Sequence, residues 1–166
     1  MARNGVYVSV SEFTYQERIQ RFKKLAKQYY KMQKEILRLK SQIEEISERL
    51  IDYHSPSWEK IGSTPTRHEL DIVGLIQRKL ELEQQLANLE AKCEWVRKCI
   101  NSIDNPYNKS IANMIYLDGY SINDVSEEYQ ITPQHVFETT KKSLGSSLTD
   151  ELLLELILLE SDKNSL

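Results

Sequence analysis

Five glycines, four prolines and two cysteines in 166 residues are few, and each shortage excludes something. So little Gly and Pro cannot supply the tight turns that a β-rich chain needs between strands, so the fold is expected to be all-α. Cys93 and Cys99 stand six positions apart in a helical pattern, which suits neither a zinc knuckle nor a redox pair. Both read as small apolar core groups in a reducing compartment. No apolar run reaches the about 18 residues of a membrane span, and the opening MARNGVYVSV lacks the apolar core of a secretory leader. The expectation is a cytoplasmic protein of a bacterial host cell with no membrane partner. His54, His68 and His135 are scattered without the paired spacing of metal ligands. Glu44-Glu45 and Glu127-Glu128 are neighbours whose side chains point about 100° apart on a helix. With no nucleophile beside a base and no glycine-rich phosphate loop, neither an enzyme, a metal nor a cofactor is expected.

Charge is polarised along the chain, although the formal total is only −3. Residues 1–52 hold 11 Lys/Arg against 7 Asp/Glu, whereas residues 145–166 hold 1 against 5. Within the first block Arg18, Arg21, Lys23, Lys24, Lys27, Lys31, Lys34, Arg38 and Lys40 meet only Glu35. Such a run is either the solvated face of a coiled coil, its long side chains covering the seam, or a surface for phosphates. Lys23, Lys24, Lys27 and Lys31 are its candidate phosphate contacts.

Apolar residues then follow a heptad register: Phe22, Leu25, Tyr29, Met32, Ile36, Leu39, Ile43, Ile46, Leu50 and Tyr53. Thr14 and Glu17 form a capping box and no Gly or Pro intervenes, so one long helix is expected over 12–53, about 60 Å for about 40 residues. Its seam needs a partner helix. A second register, Ile72, Leu75, Leu82, Leu86, Leu89, Cys93, Val96, Ile100 and Ile103, supplies one over 68–104, interrupted once by Lys79, with Thr66 and Glu69 capping its start and Asn105-Pro106 ending it. The connection, HSPSWEKIGSTPTR at 54–67, is loop-like in composition. It allows an antiparallel hairpin within one chain or pairing with a second copy. Trp58 lies in this loop; Trp95 reads as a packing residue of the second helix.

The most informative stretch is IANMIYLDGYSINDVSEEYQITPQHVFETTKKSL, residues 111–144, three short helices separated by two brief turns. Gly119 can close the first as a left-handed cap, Ser121 with Asp124 makes a capping box, and Thr132-Pro133 offers a cap followed by a first-turn proline. Ile122, Val125 and Tyr129, then Ile131, Val136, Thr140 and Leu144, would bury the second helix against the third. That is helix-turn-helix spacing, and it leaves Thr132, Gln134, His135, Glu138, Lys141 and Lys142 as candidate DNA-binding residues. Gln134 can pair with adenine and Glu138 can accept from cytosine, while Lys141 and Lys142 suit phosphates. A helix-turn-helix skeleton that serves only protein contacts is the competing reading.

Two parts of the chain resemble small phage-encoded regulators of late genes, of the RinA and ArpU type. They are Ser55-Pro56-Ser57-Trp58 with the helical run ending in WVRKCINSI at 95–103, and the helix-turn-helix itself. The second also resembles the fourth conserved region of bacterial sigma factors, through Tyr116, Gly119 and Ser121, then Ile131, Thr132 and Val136. The resemblance covers about residues 54–144 and implies a phage activator of late genes that binds double-stranded DNA and acts with RNA polymerase. Where such modules often carry Gly between the two helices this chain has Gln130, which must take a positive φ if the turn is of the usual kind.

The expected architecture is therefore an N-terminal arm (1–11), a long coiled-coil hairpin (12–53 and 68–104 around the linker 54–67), a helix-turn-helix domain (105–145) and a leucine-rich acidic tail helix (146–166). TDELLLELILLE at 149–160 is apolar on nearly every side and is expected to bury itself in a partner or a dimer mate. A homodimeric DNA-binding regulator is the leading expectation. A coiled-coil adaptor or inhibitor that grips another protein is the alternative.

Overall fold

Side chains at the helix ends set where the elements begin. In the computed structural model, which describes residues 12–52 and 67–161, these are α1 (Tyr15–Ala26), α2 (Tyr29–Asp52), α3 (Arg67–Asn101), α4 (Pro106–Tyr116), α5 (Ile122–Tyr129), α6 (Pro133–Ser147) and α7 (Asp150–Ser161). No strand occurs among the described residues, so the fold is all-α. Thr14 Oγ1 accepts from the Glu17 N–H at 3.3 Å and Glu17 accepts from the Thr14 N–H at 2.9 Å, the reciprocal box that the sequence marks. Asn105 caps α4 with Pro106 in its first turn, which separates it from α3. The arm at 1–11, the linker with His54 and the Ser55–Trp58 motif, Tyr53 and Thr66 all lie outside the described residues, as does the side chain of His68.

One expectation is corrected: the helix over 12–53 is not continuous but divides at Lys27–Gln28. The buried positions of α1 are Ile19, Phe22 and Ala26, followed by Tyr29 and Met32, whereas Leu25, which the heptad register selects, is only half-buried. From Ala26 the buried positions advance by two successive steps of three, which would overwind an uninterrupted helix. The strain is released in a tight turn in which the Gln28 N–H reaches the Leu25 carbonyl at 3.0 Å, a bond of the 3₁₀ kind.

The chain divides into two compact units, Met32–Glu90 and the combination of Met1–Lys31 with Ala91–Leu166. Within Met32–Glu90, α2 and the first part of α3 run antiparallel, a hairpin shorter than the expected pairing of 12–53 with 68–104, whose seam positions Phe22, Cys93, Val96, Ile100 and Ile103 belong to the other unit. Lys40 pairs with Glu90 at 3.3 Å, and further along α2 Ile46 and Arg49 share a small cleft with Leu82 and Arg78. Leu39, Ile46 and Leu82 form its buried core, with Ile43, Leu50, Leu75, Leu86 and Leu89 packed around them.

The other unit joins α1, the C-terminal part of α3, and α4 to α7, so the helix-turn-helix shares its core with elements outside 105–145. Phe22 lies 6.1 Å from Trp95 and meets Tyr116 edge-on at 5.0 Å. Trp95 is indeed a packing residue, and its Nε1–H donates to the Leu152 carbonyl at 2.6 Å. Cys93 and Cys99 are fully buried and form no disulfide, and burial, with Glu155 adding to it, pushes the Cys99 thiol well above its ordinary range. The tail helix α7 departs from expectation: Leu152, Leu153 and Leu156 bury themselves in their own chain rather than in a partner. Ion pairs and a hydrogen bond flank this docking. Arg18 reaches the Leu148 carbonyl at 3.0 Å and Asp150 at 2.7 Å, Arg21 reaches Glu160 at 3.8 Å, and Lys98 reaches Glu155 at 3.4 Å. Part of the basic run is therefore occupied by the acidic tail.

Candidate nucleic-acid interface

Helices α4, α5 and α6 close on a small apolar centre. Ile111, Val125 and Val136 are fully buried, surrounded by Met114, Ile115, Tyr129 and Ile131. The turns that set their angles are built as the sequence indicates. Gly119 takes φ +79°, the region where a side chain is strained, and lets the Tyr120 N–H return to the Met114 carbonyl at 2.9 Å. Ser121 caps α5, and hydrogen bonds from its hydroxyl and N–H to Asp124 hold that carboxyl below its ordinary range. Tyr129 closes the corner, its ring edge-on to Tyr107 at 5.2 Å and its hydroxyl bonded to that of Ser110 at 2.6 Å.

Between α5 and α6 the chain turns through Gln130 at φ 54°, ψ 42°, the left-handed conformation expected there. Ser126 supports the bend: its hydroxyl donates to the Ile131 carbonyl, and its own carbonyl accepts from the Ile131 N–H at 3.1 Å. A non-glycine residue in this region costs roughly 1–2 kcal/mol, part of which glycine returns as extra freedom of the unfolded chain. Gln130→Gly is therefore expected to stabilise the protein by about 0.5–1 kcal/mol, read as a higher urea midpoint with an unchanged slope. A lower midpoint would mean that the Gln130 side chain contributes more than its backbone costs.

Three faces of α6 have different fates. Val136, Thr140, Leu144 and Ser147 are buried. A second face, carrying Phe137, Lys141 and Gly145, lies beside α1: the Tyr15 hydroxyl donates to the Lys141 carbonyl at 2.8 Å, and Lys23 Nζ sits 5.1 Å from the centre of the Phe137 ring. Gly145 is required for this approach, because a Cβ there would come within 1.8 Å of the Tyr15 ring. The third face, with Gln134, His135, Glu138 and Lys142, is exposed. Its far flank borders a cleft of about 450 Å³ formed with Asp104, Tyr107 and Asn108.

Among the residues read from the sequence, Thr132 uses its side-chain oxygen as the N-cap of α6, accepting from the His135 N–H at 3.2 Å. Gln134 Nε2 donates to Glu138 Oε1 at 2.9 Å, so the two candidate base readers hold each other one turn apart. Lys141 is half-buried and Lys142 exposed. Of the lysines of the first basic run, Lys23 lies against α6, near enough for the charges of Lys141 and Lys27 to act on it. Desolvation, then the charge of Lys141 and then that of Lys27, lower the affinity of the Lys23 amine for its proton. Lys24 goes elsewhere, into a cleft of about 540 Å³ with Glu17, Lys92 and Glu160, and Lys31 is exposed on α2. Sequence reasoning misses Tyr15 and Phe137. The available signal for Phe137, 44% exposed, is a large aromatic displaced from the apolar face set by Val136, Thr140 and Leu144.

Among the described residues no group of His, Cys, Asp or Glu side chains is arranged to hold a metal ion, and no helix is long and apolar enough to cross a membrane. No curated protein and no solved structure matches the chain. Residues 53–146, more than half of the chain and spanning α3 to nearly the end of α6, match DUF1492, described as a protein of unknown function, and the chain belongs to that family.

Proposed function

We propose that the protein binds double-stranded DNA, with α6 entering the major groove and α1 lying along the flanking phosphates. One observation carries this reading: Lys23 of α1 lies against α6, its Nζ 5.1 Å from the centre of the Phe137 ring, where the charges of Lys141 on α6 and Lys27 at the end of α1 both act against its own. Cations assembled against their mutual repulsion suit a polyanionic ligand, whose binding relieves that cost and releases counterions. Gln134, His135, Glu138 and Lys142 then face base edges. Regulation of transcription, with RNA polymerase as a partner and late phage genes as the target, is the extension that the resemblance to the RinA and ArpU type supports. The reading needs no catalytic group. The adaptor reading draws support from Leu154 and Leu158, which remain exposed on α7.

Fluorescence anisotropy with a mixed-sequence duplex of about 30 base pairs tests the proposal. Binding is expected in the range of about 10⁻⁴ to 10⁻⁶ M near physiological salt, tightening steeply at about 50 mM. No measurable binding at low salt would overturn it and leave the adaptor reading.

A further inference from the structure

α3 carries two apolar seams on nearly opposite faces. The inner one, Leu75, Leu82, Leu86 and Leu89, is covered by α2. The outer one begins at Leu70, continues through Val73 and Gln77 to Leu80, and lies roughly 160° around the helix axis from the first at 3.6 residues per turn. Leu70 is 59% exposed, Val73 60%, Ile76 45% and Leu80 61%. A helix apolar on both sides is normally covered on both sides, and a single hairpin covers only one.

We propose that this outer seam is the docking surface for a second copy of the chain, with the two α3 helices parallel and in register about a two-fold axis. The spacing 70, 73, 77, 80 is that of alternating core positions in a coiled coil. In parallel register each residue meets its own counterpart: Leu70, Val73 and Leu80 pair with like apolar groups, and Gln77 faces the second copy's Gln77, where two amides can exchange hydrogen bonds. A polar pair at one such position fixes the register. The flanks agree, since Glu69 then faces Gly74 and Glu81 faces Ile76, with no like charges opposed. The antiparallel alternative would set Val73 against Gln77 and Glu69 against Glu83 on both sides. The seam has only four core positions, about two heptads, so the dimer is weak and concentration-dependent. The choice of occupant rests on the dimeric regulator reading, but its test uses no DNA and so fails or succeeds separately.

Sedimentation of the full chain from about 1 to 100 µM is expected to show monomer passing to dimer, whereas Val73→Glu with Leu80→Glu stays monomeric with an unchanged helical circular dichroism signal. A wild-type chain that remains monomeric throughout, or a dimer indifferent to the double substitution, overturns the proposal. Leu80→Cys supplies a conservative second test, since the buried Cys93 and Cys99 do not compete. Mild oxidation should link the variant to itself. Linkage only in a mixture of Leu70→Cys and Leu80→Cys chains would overturn the parallel register.

Discussion

Replacing Trp95 by alanine is expected to remove about 3–5 kcal/mol of stability, the range for deleting a large buried aromatic. The ring is almost completely buried where α1, α3 and α7 meet, and Phe22, which links it to Tyr116 of α4, is equally inaccessible. Its neighbour Phe22 is itself fully packed and cannot move to fill the void without opening another. Total stabilities of about 5–15 kcal/mol make such a loss a large fraction of what holds the unit together. Trp95→Phe separates the contributions: it keeps most of the volume but loses the hydrogen bond to the Leu152 carbonyl, worth about 0.5–1.5 kcal/mol net. Urea unfolding followed by circular dichroism measures both. A loss below about 1 kcal/mol for the alanine variant would show that the three helices do not depend on this ring.

That junction also marks where the sequence stops being legible. Helix ends governed by local chemistry can be read directly: the Thr14–Glu17 and Ser121–Asp124 boxes, Asn105-Pro106, Thr132-Pro133 and the left-handed Gly119 each stand as their residue types dictate, whereas the left-handed Gln130 is imposed by the turn against its residue type. The hairpin seam is legible because its period repeats over many turns. The break at Lys27–Gln28 is not, because Leu25 and Ala26 are both apolar and only tertiary packing decides which is buried. The docking of α7 is equally hidden: an all-round apolar helix declares that it must be covered but not by what, and the Arg18–Asp150 and Arg21–Glu160 pairs that accompany it join opposite ends of the sequence. For the candidate site, the exposed face of α6 follows from helical periodicity. The placement of α1 beside it does not, since Gly145 and Tyr15 carry no local signal of their approach.

This placement makes the basic cluster the most consequential target. Converting Lys23, Lys27 and Lys141 together to glutamine is expected to weaken duplex binding by at least about 10²-fold at 0.1 M salt, since a hydrogen bond from a charged amine to a phosphate contributes about 1.5 kcal/mol or more. The dependence of log affinity on log salt should flatten by about 0.9 for each phosphate that is no longer neutralised, approaching about 2.7 for the three. Stability moves the other way. The Lys23 amine binds its proton less readily than an isolated lysine because it is desolvated and crowded by Lys141 and Lys27, so its charge costs folding energy at neutral pH. Neutralising the cluster should therefore leave the thermal midpoint unchanged or slightly raised. Lys24→Gln is the matched control: it removes the same charge from the same helix, but from the cleft shared with Glu17 and Glu160, and should change the salt slope little. If Lys24→Gln alone weakens binding as much as the triple change, the attraction is diffuse rather than centred on α6, and the proposed docking geometry fails. If the triple variant binds duplex as tightly as the wild type, the cluster touches no phosphate and the exposed face of α6 is better assigned to a protein partner.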